Sequence, residues 1–67
     1  MLTLTIPEPL ELVGTFRRFG PFGPVYEIMG VLRELEGGDT LMEIRLPESG
    51  EIAEYKYSKI LEDPKED

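Results

Sequence analysis

The residues of this sequence best suited to chemistry are Lys56 and Ser58, two positions apart. On a β-strand this spacing places both side chains on one face, where a lysine amine could activate a serine hydroxyl as a nucleophile. The sequence has no histidine and no cysteine to act as a base or nucleophile near neutral pH. Because the Lys/Ser spacing is a weak signal, we interpret Ser58 as a helix cap and Lys56 as a solvated strand residue. We expect no catalytic residue and no enzymatic activity.

Metal and cofactor sites are not indicated either. Without histidine and cysteine there is no ordinary zinc site, and the scattered Asp and Glu residues do not form a 12-residue calcium loop. The segment Gly20-Pro21-Phe22-Gly23 lacks the Gly-Lys-Ser/Thr ending of a phosphate-binding loop. We expect no metal ion and no cofactor.

One segment, from Arg17 to Tyr26, combines basic and aromatic side chains around a turn with two glycines and two prolines. Arg17, Arg18, Phe22 and Tyr26 would form a surface able to bind a peptide, an acidic group or a single-stranded base. The alternative, which we favour, is that Phe19 and Tyr26 belong to the core. In that case Phe22 covers one end of the fold and the arginines pair with carboxylates.

Acidic residues outnumber basic ones by 14 to 7, which gives a net charge of −7. This charge opposes binding to nucleic-acid phosphates, so we expect no nucleic-acid partner. Four glutamates on or beside the last predicted hairpin are candidates for an acidic face: Glu43, Glu48, Glu51 and Glu54. Such a face would bind a basic protein partner, in one version by imitating nucleic acid. The charge is also of the size, about 2 to 8, that keeps small domains dispersed, and the sequence leaves these interpretations open.

The elements that must position these residues are mostly strands, in a single domain over residues 1–67. Apolar alternation and turn residues predict strands at 12–19, 25–35, 40–46 and 51–57, joined by turns at 20–24, 36–39 and 47–50. Gly30 argues against a helix over 25–35 and predicts a bend between strand halves 25–29 and 31–35. Residues 1–9 are predicted to form an N-terminal arm or edge strand, with the strand pattern at 2–6.

The C-terminal part predicts one helical turn over 59–63, capped by Ser58 and ended by Pro64, followed by a frayed tail at 64–67. Strands linked in order by short turns predict a mainly β fold. We expect a small antiparallel meander or SH3-like barrel of four to five strands with this helical turn. Its predicted core consists of Val13, Phe16, Tyr26, Ile28, Leu32, Met42, Ile44, Leu46, Tyr55 and Leu61.

The chain has no pattern of a secretory signal and no stretch of about 18 apolar residues. We therefore expect no membrane span and a cytoplasmic protein, in keeping with the absence of cysteine. We expect a monomer or a weak homodimer.

Several motifs carry a resemblance: residues 13–21 (VGTFRRFGP), 23–27 (GPVYE), 48–51 (ESGE) and 55–57 (YKY). The sequence resembles a family of short bacterial proteins of unknown function, over residues 13 to 63. The resemblance implies a bacterial, cytoplasmic protein and offers no catalytic residues. By analogy of size and charge alone, such proteins include regulatory halves of two-gene pairs, for example antitoxins.

Overall fold

The computed structural model describes residues 8–66 of the chain. It begins with a 3₁₀ helix, Pro9–Leu12, in which proline occupies the first turn, where its missing N–H costs no hydrogen bond. The Thr15 hydroxyl donates to the Leu12 carbonyl oxygen (2.6 Å) just after this helix. The strand predicted at 2–6 lies outside the described residues.

Five antiparallel strands form one sheet: β1 (Phe16–Arg18), β2 (Val25–Glu34), β3 (Thr40–Arg45), β4 (Ile52–Lys56) and β5 (Lys65–Glu66). Their order is β4-β3-β2-β1-β5, and a short helix, α1 (Tyr57–Glu62), connects β4 to β5. The predicted mainly β meander with a C-terminal helical turn is confirmed. The sheet is open rather than a closed barrel, because β4 and β5 lie at its two edges.

The ends of the chain correct two predictions. The strand predicted at 12–19 is reduced to β1, because Leu12 belongs to the 3₁₀ helix and Val13 and Gly14 form a turn. The tail predicted to fray forms β5 instead, paired with β1 through Phe16↔Glu66 and Arg17↔Lys65. This pairing joins residues about fifty positions apart, which local sequence cannot predict.

Strand β2 is the longest, and the helix rejected over this segment is absent. Its pairing with β3 shifts register between Ile28 and Gly30 and again between Val31 and Arg33, so Met29 and Leu32 are extra residues in β-bulges. The irregularity predicted at Gly30 is confirmed, but the strand continues through it without a break. The turn to β3 contains Gly37 (φ 90°) and Gly38 (φ 93°), the positive φ angles that the glycine pair predicts.

Ser58 is not the N-cap of α1. Lys56 occupies that position and provides no side-chain hydrogen bond. Asp39, in the β2–β3 turn, instead accepts hydrogen bonds from the Ser58 hydroxyl (2.6 Å) and the Ser58 N–H (3.2 Å). The start of the helix is therefore stabilised by a turn distant in sequence.

The core lies on the inner face of the sheet and is closed by α1 and the 3₁₀ helix. Tyr26, Ile28, Met42 and Ile44 are buried as predicted, and Leu46 and Tyr55 are partly buried. The prediction missed three buried apolar residues, namely Leu12, Leu41 and Ile60. It was wrong for four residues that are exposed, namely Val13, Phe16, Leu32 and Leu61. Phe16 faces outward because β1 turns Arg17 inward, Leu32 lies in a bulge, and in α1 the buried position is Ile60.

Candidate functional site

The first candidate surface, the segment from Arg17 to Tyr26, does not form a single basic and aromatic patch. Arg17 is 5% exposed, on the inner face of β1, and its Nη1 donates to the Asp63 carbonyl oxygen at the end of α1 (3.0 Å). Its guanidinium thus holds the C-terminal segment against the sheet. It is not available to an outside ligand.

Arg18 is also engaged within the fold. Its Nε and Nη2 both donate to Glu66 Oε2 (3.1 and 3.0 Å), and Nη1 donates to the Gly23 carbonyl oxygen (3.0 Å). These bonds fix the turn after β1 and the pairing of β5. The predicted pairing of the arginines with carboxylates is confirmed for Arg18.

Tyr26 is fully buried, and its hydroxyl donates to Asp63 Oδ2 (2.7 Å). Burial and this hydrogen bond raise the pKa of Tyr26 strongly above its ordinary value. Burial and the nearby Asp63 carboxylate also raise the pKa of Tyr55, and the Gly20 N–H donates to Asp63 Oδ1 (3.2 Å). Asp63 therefore joins the loop, the core and the end of α1, a role that no sequence motif indicated.

Phe22 is the one member of this set that stands free, with 97% of its surface exposed. The prediction that it covers one end of the fold is wrong. Phe19 fills that place, since its ring lies 4.3 Å from the ring of Tyr26 and 5.3 Å from that of Tyr55. Close packing of the Gly23 backbone against Phe19 holds the loop tight, because a Cβ at Gly23 would overlap the Phe19 carbonyl. Phe22 thus projects from a constrained turn.

The second candidate surface is centred on Glu43 and Glu54, which are direct partners across β3 and β4. The Leu46 N–H donates to the Glu51 main-chain carbonyl oxygen (2.8 Å), so Leu46 and Glu51 are a hydrogen-bonded pair. Hydrogen-bonded and non-hydrogen-bonded pairs alternate along an antiparallel ladder, so Glu43 and Glu54 are a non-hydrogen-bonded pair. Side chains of such pairs lie closest together, and like charges there repel. Within residues 8–66 neither carboxylate has an ion-pair partner.

Glu48 and Glu51 lie at the β3–β4 turn, and both are exposed. Glu51 lies opposite Leu46 and three residues from Glu54, so strand alternation places its side chain on the other face of the sheet from Glu54. We define the acidic face as the pair Glu43 and Glu54. Of the four predicted glutamates, the structure brings these two together on the outer face and leaves Glu48 and Glu51 outside it.

The surroundings of the glutamate pair are mixed. On the same outer face, Arg45 donates to Glu27 (2.8 Å), so its charge is already paired. Gly30 lies opposite Glu43 on the β2 side and contributes no side chain. Exposed Ile52 (55%) and exposed Lys56 lie two residues from Glu54 on the same face of β4. The outer face therefore presents the glutamate pair between an apolar and a basic side chain, and no ion pair to either glutamate is formed within residues 8–66.

No hydrogen bond joins Lys56 to Ser58 in the part of the chain that the structure describes. The Ser58 hydroxyl donates to the Asp39 carboxylate, whose pKa is lowered by that bond and by the Thr40 N–H. Residues 8–66 contain no group of three carboxylates close enough to hold a metal ion. The same part of the chain has no helix long and apolar enough to cross a membrane.

Comparison with known proteins identifies the family of this chain. The profile of a family of unknown function, DUF5397, matches residues 3–67. The chain belongs to this family. An uncharacterised protein of Haemophilus influenzae is 43% identical to it over 51 residues, which cover 76% of the chain and 81% of that protein. The predicted resemblance to short bacterial proteins of unknown function is therefore confirmed, and the DUF5397 profile covers the N-terminal segment as well.

Proposed function

We propose that this DUF5397 protein is a non-enzymatic interaction module of the bacterial cytoplasm that binds a basic protein partner through its acidic face. The observation that carries the proposal is the opposition of Glu43 and Glu54, neither of which forms an ion pair with a lysine or arginine within residues 8–66. Like charges at such a position destabilise a sheet. A basic partner would replace this repulsion by attraction. Binding therefore gives a reason for the pair, whereas the stability of the isolated protein does not.

The rest of the charge distribution supports a surface reserved for an outside cation. Arg18 and Arg45 are paired with Glu66 and Glu27, and Arg17 is buried. The other four basic residues, Arg33, Lys56, Lys59 and Lys65, are exposed, and none of them forms an ion pair with Glu43 or Glu54 within residues 8–66. The net charge of −7 opposes binding to nucleic-acid phosphates.

A comparative capture experiment tests the proposal. Immobilised wild-type protein and a Glu43→Gln/Glu54→Gln variant are exposed to a bacterial lysate at 50 and 500 mM salt, roughly 14 and 4 Å of Debye length. We expect a basic protein whose recovery falls about tenfold in the variant and at high salt, since complementary charges steer association. A Glu36→Gln/Glu62→Gln variant removes the same charge elsewhere and serves as the matched control.

The outcomes separate the proposal from simple solubility. Equal capture by the wild type and the Glu43→Gln/Glu54→Gln variant would contradict the proposal. Equal losses in both double variants would mean that total charge, rather than this face, governs binding.

A second candidate rests on Phe22 alone. An almost fully exposed phenylalanine on a constrained turn has the form of an aromatic anchor that fits an apolar pocket of a partner. It is what remains of the predicted peptide- or nucleic-acid-binding loop, because Arg17, Arg18 and Tyr26 are engaged in the fold. A partner lost on Phe22→Ala but retained by Glu43→Gln/Glu54→Gln would support this candidate over the acidic face.

A further inference from the structure

Strand β4 is an edge of the sheet, and its outer hydrogen-bonding groups have no neighbouring strand among the described residues. The hydrogen bond from the Leu46 N–H to the Glu51 carbonyl oxygen fixes which residues of β4 bond to β3. By the alternation of the ladder these residues are Ala53 and Tyr55. The N–H groups of Ile52, Glu54 and Lys56 therefore point away from the sheet. An edge of this kind is a template for another strand.

The edge has the features that favour pairing. The β3–β4 register is continuous from Leu41↔Lys56 to Arg45↔Ile52, without the bulges that interrupt β2. No proline lies within β4, and five residues are enough for a short added strand.

Charge decides what can occupy this edge. The antiparallel register that pairs all five residues of two copies of β4 places Glu54 opposite Glu54 of the second copy. The row across the joined sheets would then run Glu43, Glu54, Glu54, Glu43, with four carboxylates side by side. Such a row opposes self-pairing of the protein. A foreign strand with lysine or arginine opposite Glu54 would instead neutralise it.

We infer that the basic partner binds as an added β-strand along the β4 edge, with a lysine or arginine opposite Glu54. Main-chain hydrogen bonds to Ile52 and Glu54 supply affinity, and the Glu43–Glu54 pair selects a basic residue at the central position. Small or apolar residues on either side of it would face Ala53 and Tyr55 on the inner face. This inference rests on the proposed function and specifies how the partner binds.

A defined peptide tests the inference. The capped peptide acetyl-Thr-Val-Lys-Val-Thr-amide is titrated into ¹⁵N-labelled wild-type protein, followed by amide shifts and hydrogen exchange. We expect slower exchange at Ile52, Glu54 and Lys56, and little change at Ala53 and Tyr55, which already bond to β3. The same peptide with glutamate in place of lysine should bind about tenfold more weakly.

Two changes separate strand addition from attraction of charge alone. A peptide with a methyl group on the backbone nitrogen of its lysine keeps the charge but loses the donor to Glu54, and should bind about tenfold more weakly. In the protein, the double variant Ile52→Pro/Lys56→Pro removes two outward-pointing N–H donors. Ile52 is the first residue of β4, and Lys56 has a φ of −76°, and both positions suit proline. Ile52→Ala/Lys56→Ala is its matched control. The methylated peptide gives a result even if the proline variant does not fold.

The outcomes distinguish failure of the binding mode from failure of the proposed function. Equal binding of the methylated and unmethylated peptides would overturn strand addition, as would binding without protection of the β4 amides. The acidic face would still stand if the lysate partner were lost in Glu43→Gln/Glu54→Gln. Absence of peptide binding overturns the inference, and absence of any partner that depends on the glutamate pair overturns the proposed function.

Discussion

The carboxylates of this protein occupy two opposite kinds of surroundings. Asp63 accepts hydrogen bonds from the Tyr26 hydroxyl and the Gly20 N–H, and it anchors the end of α1 to the core. Glu43 and Glu54 face each other on the outer side of the sheet and have no ion-pair partner within residues 8–66. Donors surround the first site and are lacking at the second. A carboxylate that holds the fold together can thus be told from one that is free to meet a partner by counting its donors.

The same contrast separates the two faces of the β3–β4 hairpin. The inner face buries Met42 and Ile44, whereas the outer face carries the glutamate pair and leaves Ile52 more than half exposed. Substitutions on the inner face should change stability, and substitutions on the outer face should change binding.

The largest expected effect is on the inner face. Ile44→Ala removes a buried side chain that is 1% exposed and should lower the free energy of unfolding by about 2–5 kcal/mol. Ile52→Ala on the outer face should change it by less than about 0.5 kcal/mol. Urea denaturation followed by circular dichroism measures both. Similar midpoints for Ile44→Ala and the wild type would show that Ile44 is not part of the core and that the inner face does not determine the stability of the hairpin.

Asp63 is expected to have the next largest effect. Asp63→Ala leaves the buried Tyr26 hydroxyl without an acceptor and should cost about 1–3 kcal/mol of stability. Tyr26→Phe removes the donor and should cost less, because no buried group is then left unpaired. Glu62→Ala, at the neighbouring exposed position, is the control. If urea melts of Asp63→Ala and Glu62→Ala coincide, Asp63 does not anchor the segment.

Substitution within the glutamate pair should raise the free energy of unfolding rather than lower it. Glu54→Gln relieves the repulsion with Glu43 and should raise the free energy of unfolding by about 0.2–1 kcal/mol at low salt. The gain should shrink in 0.5 M salt, where charges are screened. Glu48→Gln, in the turn, should leave stability unchanged. A loss of stability in Glu54→Gln would contradict the repulsion between the two carboxylates.

The smallest effect concerns the pH dependence set by Asp39. Its pKa lies below the ordinary value because Ser58 and Thr40 donate to the carboxylate. The resulting stabilisation is complete above the unfolded-state pKa of about 3.9 and is lost as the pH falls through the lower folded-state pKa. Urea melts between pH 5 and pH 2 should therefore fall less steeply for Asp39→Asn than for the wild type. Parallel curves would mean that the turn does not stabilise the start of α1.

Local sequence patterns were enough to predict the fold class, because apolar alternation and glycine- and proline-rich turns are local signals. They predicted β2, β3 and β4 to within one or two residues, and the opposite faces of Glu43 and Ile44. Alternation also placed Tyr26, Ile28 and Met42 in the core. It located Glu43 and Glu54 beside the last hairpin without showing that they are direct partners.

The hydrogen-bond partners of the polar residues, in contrast, depend on contacts between distant parts of the chain. The sequence could not name the acceptors of Arg17 and Arg18, because the Asp63 carbonyl oxygen and the Glu66 carboxylate lie more than forty residues away in sequence. The tail at 65–66 looked free for the same reason, since its pairing partner is β1. Ser58 looked like a cap, yet Asp39 from a distant turn stabilises the start of α1. Local patterns describe a residue's own strand or turn, whereas hydrogen bonds between distant segments form only when the chain has closed on itself.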